Sequence, residues 1–180
     1  MRNCSSCRRR GIAETGEACL APTDKVVPMA VVIASAGVGD DEFLAAFTNC
    51  TLPASSFRHG DHLRLAWVLL HRKPFDEALA LVRESIQRYA AHLGVPQLYH
   101  ETITTAWVKL LATHDEASFD EFIVKNEHRL DLELLHRFWT PAVLKSEAAR
   151  YAWVPPDRAA LPRRSLTPRS RSSCHLDRAR

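Results

Sequence analysis

A chain of 180 residues, 46% hydrophobic and 25% charged, is long enough for one ordinary globular domain and too short for two comfortable ones. The net charge of +3 does not describe a basic folded face, because Arg8, Arg9, Arg10, Arg163, Arg164, Arg169, Arg171, Arg178 and Arg180 gather at the two ends. This distribution excludes a base-reading nucleic-acid surface, and five cysteines, four of them in the tails, exclude a disulfide framework and favour a reducing, cytoplasmic compartment.

Residues 1–38 read as an irregular extension. Cys4 and Cys7 have the spacing of a zinc half-site with no second pair to complete it. The apolar run at 26–39 is too short to span a bilayer, and its upstream arginines lie too far away for an export signal. No membrane segment is expected. The preferred reading is that Met29 is the biological start, since nothing before it has helical or strand periodicity.

From residue 39 to 157 the pattern is that of an all-α domain, a small up-down helical bundle with additional short helices at its C-terminal end. Asp40, Asp41 and Glu42 suit a helix N-terminus, and Phe43, Leu44, Phe47 and Cys50 recur at helical spacing. A second helix is predicted over 57–72. On its wheel His59, Leu63, Ala66 and Leu70 share one side with His62 beside them, while Asp61, Arg64, His71 and Arg72 fall opposite. Lys73 and Pro74 end it.

The third helix, over 75–93, places Phe75, Leu79, Val82, Ile86, Tyr89 and Leu93 on one stripe, with Gly94 as its C-terminal cap. Pro96 then opens a fourth helix reaching about residue 113, whose stripe is Tyr99, Ile103, Ala106, Trp107 and Leu110. Ser118 and Glu121 have capping-box spacing. Two shorter helices are expected at 131–138 and 141–150, the latter with Thr140 as N-cap and Pro141 at its first position. Trp153 closes the ordered part, and residues 158–180 form an Arg/Ser/Pro-rich tail read as disordered. No strand and no glycine-rich phosphate loop is expected.

Short connections make the second, third and fourth helices antiparallel neighbours, so the first turns of the second and fourth share one end of the bundle. Those turns carry His59 and His62 on one helix, and His100 and Glu101 on the other. Neutral imidazole is favoured at a helix N-terminus and coordinates metal or accepts protons. His59, His62 and His100 are therefore candidate ligands for Zn²⁺ or Fe²⁺, with Glu101 or His100 as the catalytic base. Tyr99, Thr104 and Trp107 are candidate cofactor- or ligand-binding residues walling the pocket. The expected partner is a small molecule. The competing reading is a helical protein-interaction module whose histidines are purely structural.

The segments FRHGDHLRLAW at 57–67 and YHETIT at 99–104, followed by Trp107, resemble a group of small bacterial helical proteins sharing that pattern. The resemblance spans roughly residues 41–161. It implies a compact domain and, because no activity is established for the group, transfers no mechanism.

Overall fold

The computed structural model describes residues 37–126 and 130–163. Cys4, Cys7, Cys19, Cys174, Met29, His128 and the tail arginines other than Arg163 lie outside them. Among the described residues the structure is helical and contains no strand, as the periodicity requires.

Helix α1 is Asp40–Thr48, with three acidic residues in its first turn. Phe43 and Phe47, one turn apart, are fully buried. The helix stops short of Cys50, which takes a left-handed backbone conformation (φ 56°) rather than extending the apolar stripe. The amides of Thr51 and Leu52 fold back onto the Ala46 carbonyl and turn the chain.

Helix α2, His59–Arg72, is the central element. Every residue from Leu63 to Leu69 is buried, so its sides are covered all round rather than along one stripe. The wheel assigns Asp61 and Arg64 to a polar face, yet their exposures are 0% and 8%. Arg64 is covered by the segment leading into α1, donating from Nε and Nη2 to Asp40 Oδ1 at 3.0 and 2.8 Å and from Nη2 to the Val38 carbonyl. Asp61 turns back to accept the Arg58 amide at 3.0 Å, satisfying a donor at the helix start. Both charged groups are buried because they are partnered.

Helix α3, Phe75–His92, follows after Pro74. Its end matches the sequence reading closely: Gly94 has φ +74°, with Gly94 N–H bonded to Ala91 O and Val95 N–H to Ala90 O. This pair of bonds needs a residue that accepts a positive φ without strain. The next prediction is corrected. Pro96–Leu98 form a single 3-10 turn, and helix α4 begins only at Glu101, running to Leu111. The break comes from His100, which leaves the helix to cap it. Its backbone is extended and its Nδ1 accepts the Ile103 amide.

Helix α5, Phe119–Asn126, starts at the predicted box: Ser118 Oγ accepts the Glu121 amide, while Glu121 reaches one residue further back, to the Ala117 amide. Residues Leu132–Arg137 form a 3-10 helix. The expected helix at 141–150 is split into α6, Pro141–Leu144, and α7, Glu147–Tyr151. Ser146 divides them, its hydroxyl capping the Ala149 amide at 3.2 Å. Thr140 caps α6 as expected.

These short elements close one end of the bundle. Trp139 is fully buried and donates its indole N–H to the Val154 carbonyl at 3.0 Å. Thr102 on α4, also fully buried, donates to Ala152 O at 2.7 Å and accepts the Val154 amide at 3.0 Å. Trp153 packs edge-on against Trp139. The anchored chain continues past residue 157: Arg158 bonds the carbonyls of Phe138 and His136, and Leu161 packs against the core.

Candidate functional site

Helices α2, α3 and α4 pack against one another, and the first turns of α2 and α4 meet at one end of the bundle. A cleft of about 280 Å³ opens there, lined by His59, His62, Tyr99, His100, Thr104 and Trp107 over a floor that includes Ala66, Val82 and Ile86. Six of the seven site residues read from the sequence thus meet around one hollow. Glu101 is the exception.

Each histidine is held by a main-chain carbonyl, and because a carbonyl only accepts, each bond fixes where the ring proton sits. His59 donates from Nε2 to Leu130 O at 2.7 Å and meets the Trp107 ring edge-on at 5.1 Å. Its Nδ1 keeps a lone pair. His62 donates from Nδ1 to Arg58 O at 3.0 Å and packs at a tilt against Phe57, ring centroids 3.9 Å apart, which leaves Nε2 as the acceptor. His100 donates from Nε2 to Leu144 O at 2.8 Å while its Nδ1 accepts the Ile103 amide, so both its nitrogens are engaged.

These bonds do not assemble the expected three-histidine ligand set. A ring whose two nitrogens already bind the main chain has no lone pair for a cation, and His100 was to be the third ligand. Among the described residues no group of three or more His, Cys, Asp or Glu side chains is placed to hold a metal ion.

The assignment of Glu101 and His100 as catalytic acid–base groups meets the same obstacle. Glu101 is paired with Arg83 of α3 at 2.5 Å, accepts the Tyr99 hydroxyl at 2.6 Å and accepts the Thr105 hydroxyl at 3.0 Å. It ties α4 to α3 instead of facing the cleft. Burial, followed by the hydrogen bond to this carboxylate, pushes the Tyr99 phenol well above its ordinary range.

Burial also dominates the histidines. It lowers His59 and brings His62 from 6.5 down to about 4, outweighing the carbonyl bonds that favour the charged ring. The sequence attributes neutrality to the helix terminus; the larger cause is desolvation. At neutral pH the cleft therefore presents two lone pairs, His59 Nδ1 and His62 Nε2. The Thr104 hydroxyl lines the same cleft and has no hydrogen-bond partner among the described residues, whereas the Trp107 indole N–H, also without a partner among them, is buried out of solvent's reach. Neither Lys, Arg, Asp nor Glu lines the cleft.

No family model, curated protein or solved structure matches this chain. The chemistry of the cleft carries the functional assignment. Residues that the sequence reading missed there are Ala66, Val82, Ile86, Leu98, Ile103 and Val108. Most belong to the helices' apolar stripes, where nothing in the sequence separates a core position from a cleft wall. Leu98 is different. It is 70% exposed on the 3-10 turn, which the reading of 96–113 as one helix concealed. No helix among the described residues is long and apolar enough to cross a membrane.

Proposed function

We propose that this domain is a binder of a small, uncharged, largely apolar molecule, held between α2 and α4 by the histidine cleft. The observation that carries the reading is an apolar cleft lined by the lone pairs of His59 Nδ1 and His62 Nε2 and by the Thr104 hydroxyl, none of them partnered among the described residues. A hydroxyl group suits the cleft because it accepts from one neighbour and donates to another.

Binding is favoured over catalysis for a stated reason. A base whose conjugate acid has a pKa of about 4 is a weak proton acceptor at neutral pH, so His62 is suited to receive a hydrogen bond rather than a proton. An anionic ligand is disfavoured, since no cation lines the cleft to offset its desolvation. The exposed Leu93 and Leu98 favour this reading over a protein-docking face, because both line the walls of hollows beside the histidines.

The test is titration of the full chain with 2-naphthol at pH 7, followed by naphthol fluorescence and calorimetry. Saturable one-to-one binding is expected, weakened about tenfold in Thr104→Val and in His62→Phe, as loss of one hydrogen bond of roughly 1–1.5 kcal/mol requires. Absence of saturation, or equal affinity in folded wild type and both variants, refutes the reading.

A further inference from the structure

The histidine cleft does not stand alone. A second hollow of about 530 Å³ adjoins it, and His62, Ile86, Leu98 and Tyr99 line both. The remaining wall of the second hollow is Ala54, Phe57, Tyr89, Ala90, Leu93 and Val95. Its two hydroxyls are already committed, Tyr89 donating to Leu52 O at 2.7 Å and Tyr99 to Glu101 at 2.6 Å. What it offers a ligand is hydrocarbon. The polar groups with spare capacity among the described residues, His59 Nδ1, His62 Nε2 and the Thr104 hydroxyl, belong to residues of the first hollow, with His62 on the shared wall.

This division matches one class of molecule. We infer that the ligand is a neutral linear amphiphile, a primary alcohol whose hydroxyl lies among His59, His62 and Thr104 and whose alkyl chain passes Leu98 and Tyr99 into the second hollow. The inference rests on the histidine cleft being a ligand site and adds the ligand's class and direction. A hydroxyl oxygen accepts from the Thr104 hydroxyl while its proton goes to His62 Nε2. A carboxylate lacks that proton and finds no Lys or Arg lining either hollow. A molecule confined to the first hollow leaves the apolar wall of the second wet; an alkyl chain covers it.

Displacement of 2-naphthol from the full chain by 1-butanol, 1-hexanol, 1-octanol and octanoate at pH 7 tests this. Affinity is expected to rise about fourfold per methylene from butanol to octanol, the gain for burying each CH₂. Octanoate is expected to bind at least tenfold more weakly than octanol. Val95→Trp, which fills the second hollow from its partly exposed rim, is expected to remove the gain from chain length. Equal affinity for butanol and octanol in the wild type overturns the inference while the histidine-cleft reading stands. Equal affinity for octanoate and octanol overturns the neutral head group. Failure of every alcohol to displace bound naphthol overturns the amphiphile, and failure of naphthol itself to bind removes both readings together.

Discussion

Single side chains in this protein are governed by which of their polar atoms remain unspent. His62 shows this most clearly: one nitrogen is anchored to Arg58 O, the ring packs at a tilt against Phe57, and burial holds its pKa near 4 against an ordinary 6.5. Between those values the unfolded chain binds a proton that the folded chain does not. Stability therefore rises with pH across that window, is complete above about pH 6.5, and is lost as pH falls toward 4. His59 is shifted in the same direction and adds to the effect. His62→Gln, whose side-chain amide retains a donor for the Arg58 carbonyl, is expected to show a smaller loss than the wild type between pH 7 and 4.5. Urea unfolding midpoints at several pH values measure this; identical slopes would mean that His62 is not buried as described.

The element that departs most from its sequence pattern is α4. Its apolar stripe was legible back to Tyr99, but periodicity cannot say whether the residue preceding Glu101 continues a helix or caps it. The side chain of His100 decides. It accepts the Ile103 amide and, through its other nitrogen, docks onto Leu144 of α6, a residue 44 positions away. His100→Ala removes a cap worth about 1 kcal/mol and strands the Leu144 carbonyl for roughly 1 kcal/mol more. His100→Asn, a strong N-cap residue too short to serve both partners, is expected to recover about half of that loss. Chemical denaturation of the two variants separates capping from docking. A cost in His100→Ala below about 0.5 kcal/mol, the level of an unremarkable surface substitution, contradicts the dual role.

At the scale of the whole molecule, polar links fasten the C-terminal short helices to the bundle, among them Arg150 to the carbonyls of Gln97 and Tyr99 and His100 to the Leu144 carbonyl. Thr102 bridges Ala152 and Val154 with one hydroxyl, and Trp139 bonds Val154 from the other side. Thr102→Val keeps the shape and strands a buried amide and carbonyl, at an expected cost of about 2–3 kcal/mol. Because α6 carries the carbonyl that holds His100, the same substitution is expected to loosen the histidine cleft as well. Weaker 2-naphthol binding at equal fractions folded detects that coupling. A Thr102→Val protein with wild-type stability and wild-type binding shows that the C-terminal elements do not support the cleft.

Local rules were enough wherever a feature depends on neighbours in sequence. The helical class, the Gly94 cap, the Ser118 and Thr140 caps and the Pro74 break all rest on backbone preferences and short-range hydrogen bonds, which are written in consecutive residues. The convergence of His59, His62, His100, Tyr99, Thr104 and Trp107 was also within reach, because short connections dictate antiparallel packing and hence which helix ends meet. The state of those side chains was not. Arg64 and Asp61 are buried through their partners at 38, 40 and 58, Glu101 is drawn away by Arg83, and His100 is spent on Ile103 and Leu144. A side chain's burial and its hydrogen-bond partners are properties of the groups packed around it, several of them far along the chain. Tertiary structure alone turned three histidines that read as a metal centre into one cap and two lone-pair acceptors facing an apolar cleft.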